Sequence, residues 1–305
     1  MRVLADANLP ELERFFPKPL ILKKYQNDTL LKSLLQNVDV LLCRSTLKVT
    51  KDLLADSCLK AVATASSGID HIDKEYLAQN GIHLFSAHGA NATAVADYVI
   101  STLAYLELQE KISGKKAGVI GCGKVGTQVI KRLQSLGFKV FCYDPILAEK
   151  DTSLPFCSKQ ALLSCDLICV HANLHDTLPF PSRNLLDADF LSNLKPFTVI
   201  INAARGGIVD EKALLNTKTP LYYCTDVYEN EPQPNEQIIS FAELATPHIA
   251  GHSIEAKIRA VLQISEQIHD LLNGSPPAYH VAGKQYALPS KFDLWQNFIL
   301  SLYNP

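Results

Sequence analysis

The 305-residue chain has no run approaching the ~18 consecutive apolar residues that a membrane span requires. It also has almost no charge imbalance: Lys+Arg number 29 against Asp+Glu 31, a net charge of −2, so no strong field draws it to nucleic acid or acidic lipid. Its eight cysteines (43, 58, 122, 142, 157, 165, 169 and 224) include no C-x-x-C and no Cys/His cluster at zinc-ligand spacing. They read as buried reduced thiols, and no metal is expected. Internal repeats and low-complexity tracts are missing, which excludes solenoids and fibres. The opening Met-Arg-Val-Leu-Ala-Asp reads as a strand running into an acid, not as a signal peptide, so the expected location is the cytoplasm. What remains is a chain with 47% apolar residues, long enough for about two domains of roughly 150 residues, whose expected partner is a small molecule.

Short apolar runs alternate with stretches of helical period, the pattern of parallel strands joined by crossover helices. The fold class is therefore α/β, with two doubly wound parallel-sheet domains. The first series of strands is read at 2–5, 38–42, 59–64 and 82–85. Polar or small residues follow these runs, among them Asp6, Arg44-Ser45 and Ser66-Ser67-Gly68. Ligands bind open parallel sheets at the carboxyl ends of the strands, so Arg44, Ser45, Ser66, Ser67 and Gly68 are candidate substrate contacts. A helix is expected over 92–109, with Val95, Tyr98, Val99, Thr102, Leu103 and Leu106 at helical spacing. A second series of strands follows at 117–120, 139–143, 167–170, 198–201, 221–225 and 244–246, then a helix over 253–272 that suits a return to the first domain. The aromatic stretch 281–305 fits one amphipathic helix, packed on its own chain or against a second subunit.

Gly121-Cys122-Gly123-Lys124-Val125-Gly126 fits G-x-G-x-x-G between a strand and a helix, and Asp144 lies at the end of the next strand, 18 positions after Gly126. Gly121 permits a tight turn, Gly123 lets a pyrophosphate approach N–H groups at the helix N-terminus, and Gly126 allows close helix–strand packing. Asp144 suits an adenosine ribose and favours NAD over NADP, because its carboxylate repels a 2′-phosphate. Residues 94–248 are accordingly read as an NAD-binding Rossmann domain, inserted in a discontinuous flavodoxin-like substrate domain of 1–93 and 249–305. Cys122, between two of these glycines, is read as a small filler and not a reactive thiolate.

Further strands of this domain end in polar residues, which puts Arg205, Glu231 and His248 at one sheet edge. An arginine can hold a carboxylate bidentately, a histidine can take a hydroxyl proton, and a glutamate can orient that imidazole. Singly, each has a plainer explanation, as a surface ion pair, a turn residue before proline or a satisfied polar group after a strand. Together they suit oxidation of a 2-hydroxy acid beside a nicotinamide. Asp226 falls near the nicotinamide carboxamide on this reading, or, as an acid at a strand end, caps a turn. His71 and Asp73 are read as fixing a helix start.

Over about residues 1–272 the sequence resembles the D-isomer-specific 2-hydroxyacid dehydrogenases. The resemblance rests on Gly121 to Gly126, Asn202-Ala-Ala-Arg-Gly-Gly-Ile-Val209, Asp226 to Pro232 and Pro247 to Gly251, in family order. It implies Arg205 as the substrate-binding arginine, Glu231 as the acid paired with histidine and His248 as the acid/base, with Ala172 and Gly251 beside the cofactor. Further segments, including Ala5-Asp6-Ala7-Asn8-Leu9-Pro10 and Thr64-Ala-Ser-Ser-Gly-Ile-Asp-His71, are similar to a branch of the family that acts on a phosphorylated 2-hydroxy acid. By that similarity Ser45 and Ser66 contact substrate, and Arg44, Lys48, Lys257 and Arg259 are the bases available to a phosphate. Ala172 stands where the branch tends to carry a threonine, and His252 where it carries a substrate-contacting tyrosine. The chain is also shorter at its C-terminus than that branch, so a homodimer through the second domain is expected. Glycerate, hydroxypyruvate and 3-phosphoglycerate stay open as substrates, as does a non-enzymatic NAD-sensing protein.

Overall fold

The computed structural model describes residues 1–26, 30–150 and 154–272. The expected amphipathic helix over 281–305 lies outside the described residues. Those described form two compact units, 1–91 with 252–272, and 92–251.

In the first unit five strands, β1 (Arg2–Asp6), β2 (Ile21–Tyr25), β3 (Val40–Cys43), β4 (Ala61–Thr64) and β5 (His83–Ser86), run parallel in the order β2-β1-β3-β4-β5. That is the flavodoxin-like order, and its switch point lies between β1 and β3. The strands β3 and β4 are buried throughout, which is why they read as unbroken apolar runs. The edge strand β2 does not follow that rule and was not expected from the sequence. Its Ile-Leu-Lys-Lys-Tyr pairs only with β1 and leaves Ile21 55% exposed, and its lysines discourage pairing by another chain. The helix Ile254–Leu271 starts where the Ser253 side chain accepts from Ala256 N–H, and it buries Ala260, Val261, Ile264 and Ile268 against Val3, Ala5 and Phe15.

In the second unit β6 (Lys116–Ile120), β7 (Lys139–Tyr143), β8 (Leu167–Val170), β9 (Thr198–Asn202), β10 (Leu221–Thr225) and β11 (Leu244–Ala245) run parallel in the order β11-β10-β9-β8-β6-β7. Alternate residues feed two cores. Val119, Cys169, Val199 and Ile201 face one side with the helices Ala92–Leu108 and Lys124–Ser135, and Ile120, Ile168, Val170 and Ile200 face the other with Phe190, Leu191 and Leu214. The strand order reverses at β6, so the carboxyl ends of β6 and β8 flank a switch point. Beyond β7, among the described residues, a single bridge, Cys142 to Phe156, continues the pairing.

Six of the eight cysteines are buried and all are free, but Cys58 is exposed and Cys157 half-buried. Cys58 departs from the sequence expectation because it lies in the loop before β4, not in an apolar run. Contact with the Cys142 thiol, together with burial, pushes the Cys122 thiol well up, so Cys122 is no thiolate. Among the described residues no helix is long and apolar enough to cross a membrane.

Candidate active site

The glycines at the end of β6 have three separate structural reasons. Gly121 adopts φ 84°, and a Cβ there would lie 2.4 Å from the Ala172 nitrogen, so only glycine lets this turn pass against the segment leaving β8. A Cβ on Gly126 would lie 2.0 Å from the Gly121 carbonyl oxygen, which closes the helix onto the turn. Gly123 caps the helix Lys124–Ser135, and a Cβ there would meet nothing within 4 Å. That open space, at the N-terminus of a 12-residue helix, fits a pyrophosphate held by backbone N–H groups, with Lys124 and Val125 in the first turn. The residues present therefore suit a dinucleotide at the switch point, where Ala172 abuts Gly121.

Asp144, the expected ribose acid, already serves two backbone groups. Its Oδ1 accepts from Leu147 N–H at 3.0 Å, capping the helix Pro145–Ala148, and its Oδ2 accepts from Cys122 N–H at 2.9 Å. The carboxylate thus fastens the end of β7 to the glycine turn while its remaining lone pairs can meet a ribose. Asp144→Ala is expected to weaken NAD ~10- to 100-fold, from the loss of charge-assisted bonds at the ribose and a loosened turn. The same change should narrow the preference for NAD over NADP. Titration with both cofactors checks this, and an unchanged affinity ratio would remove Asp144 from the ribose site.

The loops after β9, β10 and β11 bring the catalytic candidates together within this unit. His248 Nδ1 and Glu231 Oε2 are 2.7 Å apart, and Glu231 Oε1 accepts from Tyr228 N–H at 2.9 Å. The hydrogen bond to Glu231 raises the His248 pKa above its ordinary 6.5, against burial; the charges of Glu231 and Asp226 add to this, and Arg205 opposes it. Burial would push the Glu231 carboxyl up, but the bonds from His248 and Tyr228 and the charges of His248 and Arg205 hold it below its ordinary 4.5. With Nδ1 committed to Glu231, the opposite nitrogen, Nε2, is left to exchange a proton with a ligand. Arg205 donates from Nη1 to Ala204 C=O at 2.7 Å, and Asn202 Nδ2 donates to the Arg205 carbonyl at 3.1 Å. Its charge reaches both Glu231 and His248.

Asp226, expected beside the carboxamide, is 1% exposed and is engaged by its own chain. Its Oδ1 accepts from Thr246 Oγ1 at 2.6 Å and Ile249 N–H at 2.8 Å, and its Oδ2 from Ala250 N–H at 2.8 Å. The carboxylate therefore grips the turn around His248, whose backbone sits at φ 56°. Gly251 follows directly, half-buried at the end of this turn. Thr246 and Tyr98, whose hydroxyls are 2.7 Å apart, were not singled out from the sequence. Tyr98 lies at helical spacing among apolar residues and so reads as core.

Within the first unit, the loops after β1, β3 and β4 lie side by side. Arg44 Nε donates to the buried Asp6 Oδ2 at 2.7 Å across the switch point, and Ser45 follows it in the same loop. Ser66 Oγ donates to Gly68 C=O at 2.8 Å, and Ser67 Oγ accepts from Gly89 N–H at 3.1 Å. These side chains shape their own loop, and a ligand must share them. Asp73 does cap a helix, accepting from Tyr76 N–H, but His71 does not. It bonds Thr64 Oγ1 at 3.1 Å instead, which corrects the helix-start reading. His252 adjoins the Ser253 cap, Lys257 lies in the same helix, and Arg259 Nε donates to Ala90 C=O at 3.1 Å.

Residues 91–250 match the family model described as D-isomer specific 2-hydroxyacid dehydrogenase, NAD binding domain. The chain belongs to the D-isomer-specific 2-hydroxyacid dehydrogenases, and its cofactor is NAD. Among its relatives it is 50% identical over 305 residues to the erythronate-4-phosphate dehydrogenase of Legionella pneumophila strain Lens, covering 100% of this chain and 87% of that protein. It is 38% identical to the enzyme of that name from Marinomonas, over 88% of this chain and 72% of the other. The fold is also that of the NAD-bound 3-phosphoglycerate dehydrogenase of Entamoeba histolytica, with a TM-score of 0.75 and 22% identity over 90% of this chain and 95% of that one.

Proposed function

We propose that the protein oxidises 4-phospho-D-erythronate to 2-oxo-3-hydroxy-4-phosphobutanoate with reduction of NAD, a step in pyridoxine 5′-phosphate biosynthesis. The observation that carries this reading is the 50% identity, over the whole chain, to a protein named for that substrate. The reaction class follows from the His248–Glu231 pair, carried like the glycine turn at the carboxyl-end loops of this sheet. Bound NAD supplies the acceptor for the hydrogen and electron pair that leave C2. Arg205 holds the C1 carboxylate through paired N–H groups. His248 Nε2 takes the C2 hydroxyl proton as the C–O bond becomes a carbonyl, and Glu231 stabilises the imidazolium that results. In the opposite direction the protonated His248 returns that proton. Arg44, Ser45, Ser66, Ser67, Gly68 and His252 are assigned to the rest of the substrate. The C4 phosphate needs cationic partners, and the free portion of the Arg44 guanidinium and Lys257 are the groups assigned to it. The same reading makes the protein a cytoplasmic homodimer with no nucleic-acid or membrane partner.

The test is NADH formation by purified protein with 4-phosphoerythronate, erythronate, glycerate, lactate and 3-phosphoglycerate, each followed across pH. A phosphate held by charge-assisted bonds gives kcat/KM for 4-phosphoerythronate ~10²-fold or more above erythronate. Oxidation needs neutral His248, so kcat/KM should climb with pH through a midpoint above 6.5, and reduction should fall through the same range. Preference for an unphosphorylated acid overturns the substrate and leaves the chemistry; absence of turnover on all of them overturns both.

A further inference from the structure

We infer that Thr246 and Tyr98 are positioning residues for His248: their hydroxyls form a one-directional hydrogen-bond chain ending on Asp226, which holds the turn 246–250 in the shape that sets the imidazole against Glu231. This rests on the reading of His248 as acid/base.

The direction of the chain follows from proton counting. An ionised carboxylate only accepts, so Thr246 must spend its single hydroxyl proton on Asp226 Oδ1, 2.6 Å away. The Tyr98 hydroxyl, 2.7 Å from Thr246 Oγ1, must then be the donor to it. Burial pushes the Tyr98 phenol up, and the nearby Asp226 charge adds to this, so it keeps the proton it needs to donate. The backbone of residue 246 is fixed as well, because its carbonyl accepts from Tyr228 Oη at 3.0 Å and from His248 N–H at 3.1 Å.

The turn needs such restraint. His248 sits at φ 56°, a left-handed conformation that a histidine keeps only where its surroundings over-determine it. Asp226 grips the chain on both sides of it, through Thr246 before and the N–H groups of Ile249 and Ala250 after. Those two amides bind whatever residue stands at 246. Among the described residues the Thr246 hydroxyl is the contact that ties the N-terminal side of the turn to the carboxylate, and Tyr98 anchors it from a helix 148 positions away in sequence. Loss of the hydroxyl lets the turn relax, and the imidazole then drifts from Glu231. The ionisable groups facing His248 are Glu231, Asp226 and Arg205, with the Tyr228 phenol near both acids.

The test compares Thr246→Val, Thr246→Ser, Tyr98→Phe and the Thr246→Val/Tyr98→Phe double variant in the NAD-bound enzyme. The His248 imidazole is followed by NMR, its signal assigned by its disappearance in His248→Asn. In Thr246→Val the titration midpoint should drop toward 6.5, with kcat ~10-fold lower and KM for the hydroxy acid within ~2-fold. Thr246→Ser restores both. Tyr98→Phe alone should lower kcat ~3-fold and add nothing further in the Thr246→Val background, as two links of one chain require. The inference is overturned if Thr246→Val leaves the midpoint and kcat unmoved, if Thr246→Ser is as impaired as Thr246→Val, or if the Tyr98→Phe penalty is undiminished in the double variant. The NMR readout needs no substrate, so a shifted midpoint in an enzyme inert toward 4-phosphoerythronate upholds the positioning role and rejects the substrate alone.

Discussion

His248→Asn is expected to lower kcat by ~10²- to 10⁴-fold while leaving NAD affinity within ~3-fold of the native protein. Asparagine is the informative replacement because residue 248 sits at φ 56°, a region asparagine enters readily and alanine does not. Its amide can still donate toward Glu231, so the turn gripped by Asp226 keeps its shape. What is lost is the nitrogen that takes the hydroxyl proton, and with it the dependence on the raised histidine pKa: the residual activity should lose its inflection above pH 6.5. The proposed NAD site is built on the glycine turn and Asp144, which the change does not touch. Steady-state kinetics across pH with fluorescence titration of NAD reads both, and a kcat within a few-fold of native would remove His248 as the acid/base.

Much of this was legible in the sequence, for a physical reason. The strands β6, β8, β9 and β10 are buried almost throughout, so each stands out as an apolar run, and the first polar residues beyond it mark the edge where ligands bind. Arg205 and Glu231 each follow such a run, and His248 follows the short, half-buried edge strand β11. The edge strand β2 was not legible because it has one buried end and two lysines, with no run and no clear alternation. The second duty of Asp144 was hidden for a different reason. Its place 18 positions after Gly126 is a matter of spacing, but its bond to Cys122 N–H depends on how β7 and the glycine turn meet. Asp226 reads as lying near the carboxamide or capping a turn, but which turn its oxygens hold, that of residues 246–250, depends on contacts 20 to 24 positions away that spacing does not show. Tyr98 illustrates the limit most plainly. Its helical spacing says only that it is partly buried, and the meeting of its hydroxyl with Thr246 is decided by the packing of the helix Ala92–Leu108 on the sheet. Arg44 likewise reads as a free base until Asp6, at the end of another strand, is found to hold its Nε.

Gly206→Ala should be nearly as damaging as loss of His248, without touching any reacting group. A Cβ at 206 would stand 2.0 Å from the carbonyl carbon and oxygen of Tyr228 and 2.4 Å from the Glu229 nitrogen. Those atoms are backbone, so no side chain can swing aside, and either the loop carrying Arg205 or the segment carrying Glu231 must move by more than an ångström. The contact is stiff on both sides. Asn202 ties the 205 loop through its bonds to Arg205 C=O and Ala204 N–H, and Glu211 accepts from Glu229 N–H at 3.0 Å. Overpacking of this kind costs about 1–3 kcal/mol of stability. Displacement of a catalytic group by ~1 Å costs about 10²-fold in rate, so kcat/KM should fall by at least that factor. The damage should also appear in the pH profile, because moving Glu231 weakens the bond that raises the His248 pKa, and the midpoint for oxidation should drop toward 6.5. Urea denaturation and pH-dependent kinetics on the same sample separate the two effects. Native kcat/KM in a variant with a lowered unfolding midpoint would mean that Arg205 and Glu231 need not be held in mutual register. The close approach at Gly206 would then serve the fold alone.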